Sequence, residues 1–325
     1  MVIFPTETVY GLGCDFDNTK ALGRLREIKK RAEQKPFSIL IDRPARILNL
    51  TSYNEPALYK LIDQFWPGPL TVIVPDKMGE GTLGLRVSDH AVASRLVAHS
   101  GCLLAAPSAN IEGRSPPTTC QEALKDLDGL VDVALDGGTC RLGVSSTVVD
   151  FTQDSPRVTR EGTITQQDVD AIIRRKTILF VCTGNSCRSV MAEYLLKKML
   201  EKRVDVEILS AGTGVFIRTP ASPETVVTLK KEGLDASKHQ AQAVTDILLK
   251  KADLVLVMTR QHRQQVLEMA PEIEKRVYLL KEFARIPKGS ETDLDIPDPI
   301  GRPSETYDEC LWTIKEAIQK IVKII

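Results

Sequence analysis

Cys182 stands at the end of an apolar run, Thr177-Ile178-Leu179-Phe180-Val181, and is followed by Thr183-Gly184-Asn185-Ser186-Cys187-Arg188-Ser189 and a helix-compatible stretch over 190–200. A cysteine attacks only as a thiolate, and the point where a strand ends and a helix begins supplies free backbone N–H groups and a positive dipole that favour the anion. The five residues between Cys182 and Arg188 form a loop short enough to curl its amides around phosphoryl oxygens. Arg188 closes the ring with a planar fork that a lysine would not provide. Gly184 is expected to let the loop bend, and Asn185 to tolerate a left-handed backbone. A cysteine beside an apolar strand is more often a small buried residue, and a Cys-to-Arg spacing alone arises by chance. The ordered context of strand, glycine, Arg-Ser and helix is what points to phosphate chemistry.

Attack on a phosphoryl group also needs a proton donor for the leaving atom, and no histidine lies in a motif suggesting that role. Asp298, in Asp295-Ile296-Pro297-Asp298-Pro299-Ile300-Gly301, is held between two prolines that restrict its backbone. On the residues alone an Asp-Pro turn is the simpler reading. Cys187 is close enough in sequence to form a disulfide with Cys182 on oxidation, although a loop cysteine is more often packed and inert.

The first half carries softer signals. Lys29, Lys30, Arg31 and Lys35 place four cations within seven residues, a pattern that is usually a solvated face. Pro5-Thr6-Glu7-Thr8-Val9-Tyr10-Gly11-Leu12-Gly13 gathers hydroxyls, a carboxylate and glycines, as where backbone approaches a ligand. Pro107-Ser108-Ala109-Asn110 reads equally well as a helix cap.

These residues sit in a chain of 325, long enough for two domains. Lys plus Arg and Asp plus Glu number 43 each, so no basic tract advertises nonspecific nucleic-acid binding. Met1 to Pro5 carries neither a charged region nor a long apolar run, and is read as neither signal peptide nor membrane anchor. The seven cysteines are scattered and odd in number, as for reduced thiols in a cytoplasmic protein. His90, His99, His239 and His262 are isolated in sequence, so a zinc site is not expected.

Two blocks meet near residue 175. The first contains short β-rich runs at 38–41, 70–74 and 146–150, a helical run at 22–28, and a polar stretch over 152–165 leading to a short amphipathic piece. In the second, strands at 178–181, 206–209, 254–258 and 277–280 alternate with helices at 190–202, 223–232, 245–251 and 306–324. Such alternation predicts a parallel sheet covered on both faces, with ligands beyond the strand C-terminal ends. The fold class is α/β in both halves, divided as 1–174 and 175–325.

The second half resembles the low-molecular-weight protein phosphatase family. The Cys182 loop, Ser210-Ala211-Gly212-Thr213, Ala252-Asp253-Leu254-Val255-Leu256-Val257-Met258 and Asp298-Pro299 occur in the family's order and spacing. The resemblance implies a flavodoxin-like doubly wound four-stranded parallel sheet and no cofactor. It makes Cys182 the nucleophile, forming a phosphocysteine, Arg188 the phosphoryl-binding group and Asp298 the acid and later the base. Thr183, Gly184, Asn185, Ser186, Cys187 and Ser189 would form the phosphate loop, with Asn185 and Ser189 fixing it. Tyrosine-directed members usually carry a bulky aliphatic residue where this chain has Ser186 and an aromatic one where it has Ile300. Members acting on phosphoarginine have a small hydroxyl residue at the loop position and a segment like Met258-Thr259-Arg260-Gln261-His262, so phosphoarginine is the expected target and phosphotyrosine the alternative. Arsenate reduction would require further cysteines to resolve an oxidised intermediate, and beyond Cys187 only Cys310 remains, in the last helix.

The first half resembles the YrdC-like threonylcarbamoyl-AMP synthase family, through Pro5 to Gly13, Lys29 to Pro36, Phe65-Trp66-Pro67-Gly68-Pro69-Leu70-Thr71, Pro107 to Asn110, Asp136-Gly137-Gly138 and Ser146 to Asp150. The resemblance implies an open twisted α/β domain around a basic cavity. There ATP, with Mg2+, reacts with L-threonine and bicarbonate to give threonylcarbamoyl-AMP and pyrophosphate. The product serves the t6A modification of tRNAs that read codons beginning with A, linking the chain to the tRNA modification machinery. By position, Lys29, Arg31, Lys35, Thr82, Ser108, Asn110, Thr118 and Arg160 would bind ATP. Thr8, Arg86 and Ser146 would bind threonine, with Arg86 on its carboxylate. Leu40 stands where many members have a threonine-holding histidine. Members also carry a helix ahead of the Pro-Thr-Glu-Thr strand, whereas this sequence starts almost on it, so an exposed strand edge is expected there.

Together the two halves predict a bifunctional cytoplasmic protein acting on a phosphorylated protein through its second half. One alternative makes the N-terminal half an RNA-associated or regulatory binding module beside a tyrosine phosphatase. Another makes Cys182 and Cys187 a redox sensor.

Overall fold

The computed structural model describes residues 1–30, 36–79, 81–284 and 294–325. Arg31 and Lys35 lie outside the described residues. The chain divides into two compact units, Met1–Ile173 and Arg174–Ile325.

The first unit is built on nine strands: β1 (Val2–Phe4), β2 (Gly11–Asp15), β3 (Ser38–Leu40), β4 (Leu70–Pro75), β5 (Thr82–Arg86), β6 (Leu104–Ala105), β7 (Val133–Ala134), β8 (Thr147–Asp150) and β9 (Arg157–Arg160). They form one mixed sheet in the order β7-β1-β2-β6-β3-β5-β4-β8-β9. β1 pairs with β2 on one side and β7 on the other, so the expected exposed edge is not there. The helices are α1 (Thr19–Lys29), α2 (Ile47–Leu50), α3 (Pro56–Phe65), α4 (Ala91–Ser100), α5 (Cys120–Leu127) and α6 (Gln166–Arg174). Asn18 caps α1, and a Thr119–Glu122 capping box starts α5. The stretch 152–165, read as a polar connection, contains β9. Its residues lack an apolar alternation because it is an edge strand with mostly exposed side chains.

The second unit holds β10 (Lys176–Cys182), β11 (Val206–Gly212), β12 (Leu254–Val257) and β13 (Val277–Leu279), all parallel, in the order β11-β10-β12-β13. The helices are α7 (Arg188–Met199), α8 (Pro223–Lys231), α9 (Asp246–Lys251), α10 (Arg260–Met269), α11 (Leu280–Phe283) and α12 (Ser304–Ile321). Alternate residues of the central strands feed opposite cores. Ile178, Phe180, Leu256 and Met258 pack with residues of α7, α8 and α12. Leu179, Val181, Val255 and Val257 pack with Leu249 of α9 and Val266 of α10. A strand buried on both faces reads as a continuous apolar run, as 178–181 and 254–258 do. Helix α10 escapes the sequence pattern because only His262 and Val266 of its ten residues are buried.

Leu256, fully buried in the central β12, sets a test of this core. Leu256→Ala should cost about 2–5 kcal/mol, while Leu256→Met should cost less than about 1.5 kcal/mol. Urea midpoints of the two variants check this.

Candidate functional sites

Strand β10 delivers Cys182 to the C-terminal edge of the four-stranded sheet, and α7 begins six residues later at Arg188. Between them the backbone turns through Asn185, whose φ of 49° is left-handed. Gly184, expected to supply the bend, is not in that region, and a Cβ there would meet only Ser186 Oγ, at 3.3 Å. The glycine this loop requires is Gly212 at the end of β11, where a Cβ would lie 2.4 Å from the Thr183 carbonyl oxygen and 2.9 Å from the Asn185 nitrogen. The segment after β11 braces the loop: Thr213 N–H donates to the Cys182 carbonyl and Gly214 N–H to that of Thr183, both at 2.9 Å.

The Cys182 Sγ lies 2.9 Å from Ser189 Oγ and accepts from Asn185 N–H at 3.3 Å. The Asn185 amide donates to Ser189 Oγ (3.0 Å) and Ser210 Oγ (2.7 Å) and accepts from Gln242 N–H (2.9 Å). Ser210 in turn donates to the buried Glu193 carboxylate, which also pairs with Lys197. The backbone N–H groups of Gly184, Ser186, Cys187 and Arg188 donate no hydrogen bond to the described residues, and the buried Arg188 Nε has no partner among them. A buried donor without an acceptor, as the Arg188 Nε is among the described residues, is costly and rare. With the four amides of the same short loop, which follows the Cys182 sulfur directly, it suits the binding of an oxyanion.

Arg188 Nη2 pairs with Asp298 at 2.5 Å, and Nη1 donates to the Ile296 carbonyl at 3.1 Å. Asp298 is therefore at the loop rather than in a remote turn. Its segment is tied to the end of β12 by Ile296 N–H donating to the Met258 carbonyl. Ser186 is half-buried, Cys187 is buried and Ile300 is exposed. Cys310 packs into the same core as Cys182 and Cys187, and burial pushes its thiol up to about 12. It is thus a protonated thiol and a poor attacking group.

Two histidines that looked isolated in sequence flank the loop. His239 Nε2 lies 3.0 Å from the Asn185 carbonyl oxygen, and His262 Nε2 lies 2.8 Å from Thr183 Oγ1. His262 closes the Met258–His262 segment that the family resemblance singled out, though its contact with Thr183 was not legible there, and no local motif signals His239, because the sheet topology brings both to the loop from beyond β12 and β11. Among the described residues no three His, Cys, Asp or Glu side chains are grouped to hold a metal ion.

In the first unit a cleft of about 630 Å³, solvent at its mouth included, is lined among others by Thr8, Leu40, Arg86, Ser108, Ser146 and Arg160. Arg86 meets a protein carboxylate: Nη2 donates to Glu7 (2.7 Å) and Thr8 Oγ1 (2.9 Å), and Nε to the Gly68 carbonyl (3.2 Å). Ser88 Oγ also donates to Glu7, at 2.5 Å. Burial alone would raise the Glu7 carboxyl, but the Arg86 charge and the Ser88 hydroxyl outweigh it and hold the group below its usual range. Arg86 reaches the cleft already charge-balanced, with Nη1 making no hydrogen bond to the described residues. Arg160 clamps Ser146 through its carbonyl and hydroxyl, each at 3.0 Å, and Thr71 meets the same hydroxyl at 2.8 Å.

Four of the expected nucleotide residues stand differently. Lys29 is buried, and its ammonium donates to the Ser108 and Asn110 carbonyls, pinning the 107–110 loop. Asn110 spends its amide on the Ile111 and Arg114 carbonyls. It lines a separate recess with Thr118, which itself donates to Glu122. Thr82 is exposed at the far end of β5 from Arg86, outside the cleft, because three extended residues separate the two. Glu7, the residue that organises Arg86, was legible only as one carboxylate in a polar motif.

A cysteine cradled by free amides at the end of a parallel sheet, and a polar cleft in a separate mixed sheet, define two α/β ligand-handling units with distinct chemistry. Residues 1–162 match the family model described as telomere recombination (Sua5, YciO and YrdC), and residues 177–325 match that of the low molecular weight phosphotyrosine protein phosphatases. A threonylcarbamoyl-AMP synthase of Pyrococcus abyssi is 35% identical over 72% of this chain and 70% of its own length. A probable low molecular weight protein-tyrosine-phosphatase of Ralstonia nicotianae is 36% identical over 44% of this chain and 91% of its own. A solved structure of a doubly substituted P. abyssi Sua5 shares the fold, at 23% identity and a TM-score of 0.51, covering 86% of this chain and 90% of that one. The chain therefore belongs to the Sua5/YrdC family through its first half and to the low molecular weight phosphatase family through its second. It spans 53% of the length of the Bacillus subtilis threonylcarbamoyl-AMP synthase, with which it shares 38% identity over 53% of its own length.

The Glu7–Arg86 pair yields a quantitative expectation. Removing one partner of a buried pair, as in Glu7→Gln, should cost about 3–5 kcal/mol. Because the Glu7 carboxyl is depressed in the folded state, its contribution is present above the ordinary carboxylate range and fades as pH falls through the folded value. Denaturant titrations at neutral and acidic pH should show the gap between wild type and Glu7→Gln narrowing on acidification.

Proposed function

We propose that the chain is a bifunctional enzyme, a threonylcarbamoyl-AMP synthase joined to a cysteine-dependent protein phosphatase directed at phosphoarginine. The observation that carries the second activity is the set of unsatisfied donors around the Cys182 sulfur. An incoming phosphoryl group takes up those N–H groups and the Arg188 guanidinium, which frees Asp298 from its ion pair. Sulfur attacks phosphorus, the bond to the substrate nitrogen breaks, and Asp298 protonates the departing atom. Water activated by the same carboxylate then cleaves the phosphocysteine, releasing inorganic phosphate and restoring the thiolate. Ser189 and Asn185 hold the sulfur through both steps. The small hydroxyl of Ser186 and the aliphatic Ile300 favour a guanidinium over an aryl leaving group.

The synthase reading rests on the cleft that gathers Thr8, Arg86, Ser108, Ser146 and Arg160. Two guanidinium groups and several hydroxyls suit a nucleotide phosphate and an amino-acid carboxylate. ATP, carried with Mg2+, L-threonine and bicarbonate are the proposed substrates, and threonylcarbamoyl-AMP and pyrophosphate the products, supplying the t6A modification of tRNA. No helix of the described residues is long and apolar enough to cross a membrane; the cytoplasmic site of action is proposed from the odd number of scattered cysteines, as for reduced thiols.

The purified chain should turn over phosphoarginine faster than phosphotyrosine, and Ser186→Ile should reverse the order. Equal or opposite preference in the wild type overturns the substrate assignment, and full activity of Cys182→Ser on either substrate overturns the phosphatase. For the first half, pyrophosphate release should require ATP, threonine and bicarbonate together. Arg160→Ala should lower it roughly 10- to 100-fold, the worth of one charge-assisted hydrogen bond. Unchanged release would remove Arg160 from the site.

A further inference from the structure

His262 takes no part in the chemistry described above, yet it is 3% exposed and uses both ring nitrogens. Nδ1 lies 2.9 Å from Thr259 Oγ1, and Nε2 lies 2.8 Å from Thr183 Oγ1. Thr259 is the N-cap of α10 and accepts the His262 backbone N–H through the same hydroxyl. The base of α10 is itself fixed to the sheet, since Met258 N–H donates to the Val181 carbonyl. The imidazole is therefore a strut of fixed length from the sheet to the first residue after the nucleophile. Thr183 is exposed, so its orientation is not set by packing and depends on what holds its hydroxyl. A second tie runs in parallel, from Gln265 of α10 to Thr213 at 2.8 Å and from Thr213 N–H to the Cys182 carbonyl.

The charge state of the ring agrees with this role. Burial first, and the nearby Arg188 charge second, lower its titration to about 4, so at neutral pH the ring is uncharged, with one donor and one acceptor nitrogen. A neutral ring can bridge two hydroxyls without setting a second cation beside the guanidinium that must receive phosphate.

We propose that His262 is a positioning residue of the phosphate site, which by bridging Thr259 and Thr183 fixes the start of the loop and keeps the free amides aligned on the Cys182 sulfur. The inference rests on the phosphatase reading of that site. It acts through Thr183 and predicts that the two residues behave as one unit.

The experiment exploits side chains that mimic one ring nitrogen each. The asparagine of His262→Asn places a polar atom where Nδ1 was and cannot reach Thr183, whereas the glutamine of His262→Gln places one where Nε2 was. Kd for inorganic phosphate by calorimetry, kcat and KM on p-nitrophenyl phosphate and phosphoarginine, and Tm are measured for the full chain and for His262→Asn, His262→Gln, Thr183→Val and the His262→Asn/Thr183→Val double variant. Loss of alignment by a fraction of an ångström to an ångström should weaken phosphate binding and lower kcat/KM by roughly 10- to 100-fold in His262→Asn and in Thr183→Val. The double variant should lose no more than the worse single one, because contacting residues that act together are not additive. His262→Gln should stay within about threefold of wild type if the Thr183 contact is what matters. The inference is overturned if His262→Asn binds phosphate and turns over like wild type, if the single losses multiply in the double variant, or if Gln and Asn are equally impaired. Should His262→Asn fail to fold, Thr183→Val, which changes one exposed hydroxyl, decides alone: a wild-type phosphate Kd sinks the idea. Absence of turnover in the wild-type chain would instead strike the phosphatase reading, while phosphate affinity still reports on His262.

Discussion

Backbone donors left without acceptors are the constraint around which the second unit is arranged. A tight turn between β10 and α7 strands four amides and a buried guanidinium nitrogen, and nothing among the described residues compensates them. Burying a guanidinium nitrogen without a partner costs free energy, and an oxyanion that accepts from it and from the amides offsets that cost. The surrounding structure holds that turn open. Gly212 lets β11 pass close beneath it, Asn185 takes the left-handed backbone and spends its amide on Ser189, Ser210 and Gln242, and His239 and His262 brace it from outside.

The first unit meets a related problem with opposite means. Its key cation is satisfied in advance: Glu7 occupies Arg86 from within the protein, and the depressed carboxyl ensures that the pair is charged at neutral pH. Lys29 likewise serves the 107–110 loop. The cleft is shaped by these internal bonds, and Arg160 with Ser146 stands on its wall.

Much of the fold was legible in the sequence because burial on both faces of a parallel sheet leaves long apolar runs. All four strands of the second unit are legible, β10 and β12 as such runs, and so, from their helical periodicity, are α7, α8, α9 and α12. Elements with little apolar surface were not legible: β9 is an exposed edge, and α10 buries only His262 and Val266. The phosphate loop was readable since its residues are contiguous, whereas Glu7–Arg86 and Thr183–His262 join positions 79 apart in each case. Short-range pattern carries no information on such pairs. Thr82, placed with the nucleotide by position in the motif order, stands at the end of β5 away from Arg86 and outside the cleft, a matter of geometry that spacing does not encode.

The Arg188–Asp298 ion pair has a kinetic consequence for the end of the catalytic cycle. In the proposed phosphatase cycle, a site built to hold phosphate risks being poisoned by its own product. Asp298, 40% exposed and tethered by two prolines, waits within bonding distance of the same guanidinium. On the proposed reading the carboxylate steps into the anion's place as it loosens, an intramolecular competitor that clears the cradle for the next turnover.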